Sequence, residues 1–392
     1  MSFPYLTIGN VTIPLPIIQG GMGIGVSMNN LAAAVANEGG IGVIAGALAG
    51  FGEKDIAKNP EAADSRALSA QIRAAREKSL GANGLLGVNI MVALCNFAVL
   101  VRTALAEKID VIFSGAGLPL DLPAYLREAA EKAQEEIHTK IAPIVSSARA
   151  ASLIAKKWLA NYNRIPDLVV VEGPLAGGHL GFKPEDMFSC DHRLEVLVPQ
   201  VVEALKPFED KCGRAIPVMA GGGIFTGEDI YKIMELGASG VQMGTRFVTT
   251  WECDASLTFK KAFLEAKEGD EMIIKSPVGM PGRAVRSKFL EDMESGLKKP
   301  AHCIYHCIKS CDPKTTPYCI SLALVNAQRG LMDRGFAFAG ANVGKVKDIV
   351  SVKKLIEILG EEYDQAVMAH KNPASSGITS SNSSQIGGEC QQ

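Results

Sequence analysis

Two glycine-rich turns in the middle of the chain have the residue types best suited to bind a phosphate. One apolar run ends in Gly221, Gly222 and Gly223, and a second ends in Gly244 and Thr245. Because glycine has no Cβ atom, backbone N–H groups in such turns can approach an anion closely, and a helix that begins beside the turn directs its positive end there. The pattern predicts a bound phosphate group, carried by a cofactor or by a substrate.

His179 is the candidate acid–base residue. It is one of six histidines and lies in a glycine-rich stretch that follows an apolar run ending at Glu172. Imidazole is the usual proton-transferring group near neutral pH. We expect an active-site role for His179, the alternative being a loop histidine that caps a carbonyl or lies in solvent. Two interpretations of Glu172 stay open: a polar contact to the ligand, or an ordinary carboxylate at a strand end.

Two further segments are suited to surround a flat ligand. The glycines of Gly21-Met22-Gly23 allow the backbone to pass close to a ring, and the Met22 thioether can pack on it. Asn89 ends another apolar run. Its side-chain amide both donates and accepts hydrogen bonds, which suits the edge of a heteroaromatic ring.

A Cys-rich segment, residues 302–319, is the second group of residues that could do chemistry. It holds four of the nine cysteines of the chain: Cys303, Cys307, Cys311 and Cys319. The spacing of four is also typical of a helix with small buried thiols on one face. A straight helix would hold Cys303 and Cys311 about 12 Å apart, too far to share one metal centre. Prolines after Cys311 prevent a continuous helix, however, so Cys319 can turn back. The sequence predicts a tetrathiolate metal site.

The elements that must position these residues alternate regularly through residues 1–250. Strand-like apolar runs occupy 15–19, 41–45, 85–89, 110–113, 141–145, 168–171, 216–219 and 240–243, and helical patterns occupy 27–38, 64–79, 93–107, 121–138, 147–160, 192–207 and 226–236. Such runs are typical of buried parallel strands, and about 250 residues is the usual size of an eight-fold barrel. We predict an α/β fold, a (β/α)8 TIM barrel. A doubly wound sheet is disfavoured because the glycines after the first strand lack the dinucleotide-binding spacing.

The remaining third of the chain does not continue this alternation of strands and helices. We predict that 1–250 forms the barrel and that 251–370 forms a C-terminal extension with helices near 253–267, 320–333 and 350–369 packing on it. Residues 371–392 are rich in Ser, Gly, Asn and Gln without apolar periodicity, which predicts a disordered tail.

Five motifs occur together and in order along the chain. They are Pro-Ile-Ile-Gln-Gly-Gly-Met at 16–22, Gly-Val-Asn at 87–89, Ala-Gly-Gly-His at 176–179, Ala-Gly-Gly-Gly-Ile at 220–224 and Gln-Met-Gly-Thr-Arg-Phe at 242–247. This combination resembles the nitronate monooxygenase (2-nitropropane dioxygenase) family of FMN enzymes, which includes flavin-dependent enoyl-acyl-carrier-protein reductase II. The chain differs from the usual family pattern in having Leu175 where an acid is common.

The resemblance implies that FMN lies over the C-terminal mouth of the barrel. The residues implied to contact it are Gly21, Met22, Gly23 and Asn89 at the ring, Gly178 towards the phosphate, and Gly222, Gly223, Gly244 and Thr245 at the phosphate. Of the two interpretations of Glu172, we predict the contact to the cofactor. His179 would correspond to the catalytic histidine of the family.

The resemblance also implies the reaction. Alkyl nitronates or related activated carbon acids would be oxidised, with His179 handling the proton next to the nitro group. The main alternative is an NAD(P)H-dependent flavin reductase of enoyl thioesters or other activated alkenes, and a flavin-free barrel that binds a sugar phosphate or nucleotide is a third. A bound flavin can exchange electrons with a redox-active metal centre, which favours a [4Fe-4S] cluster over zinc on the four cysteines.

Composition restricts the partners. The net charge of −2 gives no reason to expect a nucleic acid or an anionic membrane. The N-terminus has neither the basic nor the apolar part of a signal peptide, and the cysteine usage fits thiols or ligands rather than disulfides. We expect a cytoplasmic enzyme acting on a small molecule. An electron-transfer partner and a homodimer remain open.

Overall fold

A closed parallel barrel forms the centre of the computed structural model, which describes residues 3–297 and 303–371. The strands in chain order are β1 Leu6–Ile8, β2 Val11–Ile13, β3 Ile17–Gln19, β4 Ile41–Ala45, β5 Leu85–Asn89, β6 Val111–Ser114, β7 Lys140–Val145, β8 Val169–Glu172, β9 Gly178–His179, β10 Val218–Gly221, β11 Gly240–Met243, β12 Glu271–Lys275 and β13 Pro281–Val285. The barrel order is β10-β11-β3-β4-β5-β6-β7-β8, with every neighbouring pair parallel. The predicted TIM barrel is confirmed.

Helices connect the barrel strands and continue into the last third of the chain. They are α1 Asn29–Asn37, α2 Pro60–Lys78, α3 Phe97–Ala106, α4 Leu122–Ala133, α5 Ala148–Tyr162, α6 Leu194–Cys212, α7 Gly227–Glu235, α8 Thr245–Val248, α9 Leu257–Glu265, α10 Lys288–Glu294, α11 Ile320–Gln328 and α12 Val352–Lys371. None of the helices within the described ranges is long and apolar enough to cross a membrane.

A hairpin of β1 and β2, absent from the sequence predictions, closes one end of the barrel. Its residues Leu6, Ile8 and Ile13 are buried in one apolar cluster with inward-facing barrel residues such as Phe113 and Met219. Since β3 begins directly after the hairpin, the plugged end is the one where the strands start. The opposite end, at the carboxyl ends of the strands, is left for a ligand.

The residues after the barrel pack against it on two sides. Strands β12 and β13 form a three-stranded antiparallel sheet with β9, which follows barrel strand β8. Helix α12 lies on α7, where a Cβ at Gly227 would overlap the carbonyl of Leu359 and the Gly227 N–H donates to Glu362 Oε2 over 2.7 Å. The division of the chain near residue 250 into two units stays a prediction.

The Cys-rich segment is not helical. Residues 303–319, all within the described part of the chain, form turns and loops before α11 begins at Ile320. His302 lies outside the described residues. So does the predicted tail from 372 to 392, whereas Lys371 ends α12.

Candidate active site

A large cavity of about 270 Å³ opens at the carboxyl ends of the barrel strands. Its lining includes each residue that the sequence marks as catalytic or cofactor-binding: Gly21, Met22, Gly23, Asn89, Glu172, Gly178, His179, Gly222, Gly223, Gly244 and Thr245. These residues come from the ends of different barrel strands and from the segments that follow them. The closed barrel brings them to one place.

The first glycine turn has the backbone geometry of an anion cradle. Gly222 and Gly223 have φ values of +103° and +82°, which other residues rarely adopt. Their N–H groups donate no hydrogen bond to any group that the structure describes, so both are free to bind a ligand. A Cβ at Gly222 would lie 2.9 Å from the backbone nitrogen of Ala176. Glycine is therefore required by packing as well as by conformation.

The second turn contributes the Thr245 hydroxyl, and residues from the C-terminal part of the chain pack beside it. The backbone N–H of Gly340 donates to Thr245 Oγ1 over 2.9 Å, and the Asn342 side chain donates to the carbonyl of Gly223. Both residues line the cavity. The sequence predictions missed them, because nothing in a loop near residue 340 indicates that it returns to the barrel mouth.

The cavity lining at Gly21 and Asn89 is closely packed. A Cβ at Gly21 would overlap the Asn89 side chain, so the glycine allows the β3 loop to lie directly against the end of β5. The Met22 N–H donates to Ser27 Oγ over 2.8 Å, which fixes the loop. This arrangement leaves the Met22 side chain and the Asn89 amide on the lining, as contact with a planar ring requires.

Glu172 is a half-buried carboxyl at the end of β8, beside Gly221 of the neighbouring strand. Burial raises its pKa to about 8, because the charged form loses its hydration. At neutral pH the group is therefore mostly protonated and can donate a hydrogen bond to a ligand.

His179 lies in β9, whose pairing with Gly282 of β13 sets its direction. Its Nε2 atom is 2.8 Å from Ser276 Oγ, and its ring centroid is 5.0 Å from that of Phe338. Burial lowers the pKa of His179 to about 4, so the imidazole is uncharged at neutral pH. The sequence predictions did not include Ser276 or Phe338.

The four cysteines surround a second, smaller cavity of about 130 Å³. Its lining includes Cys303, Cys307, Cys311 and Cys319, together with Cys95 from the loop before α3. Across residues 3–297 and 303–371, no group of three or more His, Cys, Asp or Glu side chains is placed to hold a metal ion. Burial raises the pKa of the Cys307 thiol to about 11. The four thiols line one cavity, but they are not placed around a common metal position.

Comparison with known proteins identifies the family. The family model described as nitronate monooxygenase matches residues 6–362. The chain belongs to this family. A probable nitronate monooxygenase from Staphylococcus aureus (strain Newman) is 36% identical over 137 residues, which are 34% of this chain and only 36% of that protein.

Other matches extend over most of the chain. A Mycobacterium tuberculosis protein named (3aS,4S,5R,7aS)-5-hydroxy-7a-methyl-1-oxo-octahydro-1H-indene-4-carboxyl-CoA dehydrogenase is 28% identical over 288 residues, 74% of this chain and 68% of that one. The structure of FabK from Thermotoga maritima has a TM-score of 0.68 at 26% identity and covers 92% of this chain and 96% of its own. Nitroalkane oxidase from Streptomyces ansochromogenes, at 22% identity, TM-score 0.68 and coverage of 91% and 98%, shares the fold.

The family implies a flavin cofactor, and the cavity fits one. Free N–H groups in a glycine cradle suit a phosphate, and the packed face at Gly21 and Asn89 suits a planar ring. The donor set is neutral and made of backbone, amide, hydroxyl and protonated carboxyl groups, as expected for a flavin rather than for a metal ion.

Proposed function

We propose that this protein is an FMN-dependent oxidoreductase that oxidises alkyl nitronates or related activated carbon acids. One observation carries the proposal: a single cavity at the barrel mouth is lined both by the glycine cradle and by the half-buried side chain of His179. Membership in the nitronate monooxygenase family supports the same chemistry.

Two groups of residues would hold the cofactor. The N–H groups of Gly222 and Gly223 and the Thr245 side chain would bind the phosphate, with Gly244 allowing close approach and Gly178 beside it. At the ring, Gly21, Met22 and Gly23 would contact one face, and Asn89 and protonated Glu172 would meet its polar atoms. When bound, FMN supplies the acceptor for the electrons removed from the substrate.

His179 would handle the substrate proton. A neutral imidazole can accept the proton next to the nitro group or hold the nitronate by a hydrogen bond. The Ser276 hydroxyl at 2.8 Å fixes the ring orientation, and Phe338 covers it on one side. Apolar lining residues such as Met91 and Leu94 exclude water around the reacting carbon.

Replacing the histidine tests this role. We expect His179→Asn to keep FMN bound but to lose about 10²- to 10⁴-fold in kcat on a neutral nitroalkane, whose proton next to the nitro group must be removed, the usual contribution of a positioned acid–base group. His192→Asn is the matched control, since the His192 ring packs against Phe182 with the centroids 5.3 Å apart and is absent from the cavity lining. Equal activity of the two variants would remove His179 from the mechanism.

A second candidate function is NAD(P)H-dependent reduction of an enoyl thioester or another activated alkene. It is supported by the similarity to the Mycobacterium tuberculosis protein, whose name specifies a CoA thioester, and by the apolar wall of Ile308, Ile320 and Leu324. Anaerobic mixing separates the two functions. Flavin bleaching by NADPH supports the reductase, and bleaching only by an alkyl nitronate supports the oxidase chemistry.

We also propose a second redox centre, an iron–sulfur cluster of the [4Fe-4S] type bound by Cys303, Cys307, Cys311 and Cys319. Support comes from the single cavity that all four residues line. Exchange of electrons with a flavin favours such a cluster over a zinc ion, which has no redox chemistry.

A further inference from the structure

Two cavities meet at a pair of buried leucines. Leu48 and Leu94 line the active-site cavity, and both also line a neighbouring cavity of about 630 Å³, here named the side cavity. Residues 59–62, Asn96 and residues 305–307 provide most of the remaining lining of the side cavity. Leu48 is 4% exposed and Leu94 is 2% exposed. The two side chains therefore stand between the cavities and separate them.

Backbone contacts hold the leucine pair in this position. Leu94 forms an antiparallel bridge with Ile308. Next to it, the Cys95 N–H donates to the carbonyl of Cys307 over 3.0 Å. Leu48 belongs to a small buried apolar cluster that contains residues from both sides of the side cavity. The separation is thus made by side chains on anchored backbone.

The segment that holds Leu94 also reaches the candidate acid–base residue. Ser276 Oγ is 2.8 Å from His179 Nε2 and accepts the Val278 N–H over 3.2 Å. The Val278 carbonyl accepts from Ser310 Oγ over 2.8 Å, two residues after Ile308. Both Val278 and Ile308 line the active-site cavity. A substrate held at His179 therefore has its carbon chain beside an apolar wall, which continues to the leucine pair through the bridge partner of Ile308.

The active-site cavity has little room beyond the cofactor. Cavities that hold one drug-sized ligand usually measure about 300–1,000 Å³. The cavity at the barrel mouth, at about 270 Å³, would have to hold both FMN and the substrate. A long carbon chain needs more space than this, and the leucine pair keeps it out of the side cavity.

We propose that Leu94 determines substrate specificity: together with Leu48, it restricts the proposed reaction to carbon acids that carry a short apolar group. Without the Leu94 side chain, a long alkyl chain would enter the side cavity. The inference rests on the proposed function and names its substrate class. Burial of each methylene group strengthens binding about fourfold, so two or three methylenes that enter the side cavity would change specificity about 15- to 60-fold.

The test compares preformed alkyl nitronates, from ethyl to octyl, on the full-length protein loaded with FMN. Anaerobic mixing gives the second-order rate constant of flavin bleaching for each nitronate. For the wild type, this rate constant should fall about 5- to 140-fold between butyl and octyl nitronate, the effect of overfilling a packed site. Leu94→Ala should raise the octyl-to-ethyl ratio of rate constants about 15- to 60-fold.

A second readout does not depend on turnover. Octanoate and propionate carry a carboxylate in place of the nitronate group and provide no electrons for the flavin. Calorimetry on the FMN-loaded protein gives their dissociation constants. The octanoate-to-propionate ratio of dissociation constants should fall in Leu94→Ala by the same factor, about 15- to 60-fold.

Two control variants separate specificity from packing. Leu94→Met keeps the side-chain volume and should retain the wild-type ratios. Leu100→Ala removes a fully buried leucine of α3 that lines neither cavity, so it should lose stability but retain the wild-type ratios. If Leu94→Ala does not fold, Leu48→Ala shortens the leucine pair from the other side and should change the ratios in the same direction.

Two results would overturn the inference. One is a wild type that reacts equally fast with ethyl and octyl nitronate, and the other is an octyl-to-ethyl ratio that is unchanged in Leu94→Ala or rises as much in Leu100→Ala. Equal bleaching by every nitronate rejects the inference and leaves the proposed function intact. A bound flavin that no nitronate bleaches rejects the proposed function, and the octanoate measurement then still decides the role of Leu94.

Discussion

Gly178→Ala tests whether the cavity at the barrel mouth binds FMN, and Gly269→Ala provides a matched control. The two glycines have φ values of +82° and +85°, and a Cβ added at either one would have no neighbour within 4 Å. Gly178 lines the active-site cavity, whereas Gly269 lies in the turn between α9 and β12 and is absent from its lining. The two substitutions therefore introduce similar backbone strain, but only Gly178→Ala does so beside the proposed ligand.

Both variants should lose about 1–2 kcal/mol of unfolding free energy without ligand, the cost of a left-handed backbone for alanine. Gly178→Ala also places a methyl group in the space assigned to FMN. Overfilling a packed site costs about 1–3 kcal/mol, which weakens FMN binding about 5- to 140-fold at 1.4 kcal/mol per tenfold. Urea unfolding measures the unfolding free energy, and quenching of FMN fluorescence measures the FMN dissociation constant. Equal FMN dissociation constants for the two variants would refute the placement of the cofactor.

Three further predictions concern charge and packing. Because the pKa of Glu172 is raised from 4.5 to about 8, the folded cofactor-free protein keeps a proton that the unfolded chain releases. Its unfolding free energy should therefore fall as pH rises from 4.5 to 8, and Glu172→Gln should flatten this fall in urea titrations. The pKa of His179 is lowered from 6.5 to about 4, so stability should also fall as pH decreases from 6.5 to 4, and His179→Asn should remove that loss in the same assay. Glu362→Ala removes the acceptor of the Gly227 N–H and should cost about 1 kcal/mol in urea unfolding, whereas Glu362→Gln should retain most of the stability.

The barrel could be predicted from the sequence because its strands are buried on both sides. Runs such as 41–45 and 85–89 contain almost no polar residue, and the structure has strands with those same bounds. The hairpin of β1 and β2 was missed because each strand has only three residues, with Thr7 and Thr12 exposed. The Gly9-Asn10 turn between them was the available signal, since such a pair often joins two hairpin strands.

The candidate site could be predicted only where its residues directly follow barrel strands. Asn89 and Glu172 end β5 and β8, and closure of the barrel brings such positions together whatever their distance in sequence. Ser276, Phe338 and Asn342 come from the C-terminal part of the chain. Their places depend on how β13 pairs with β9 and how the loop near 340 packs, and local periodicity carries no information about either contact.

A crystal structure of the protein purified with its natural cofactor tests the central claim most directly. We predict FMN in the cavity at the barrel mouth, its phosphate within hydrogen-bonding distance of the Gly222 and Gly223 N–H groups and its ring facing His179. A phosphate bound elsewhere, or a ring separated from His179 by protein, would contradict it.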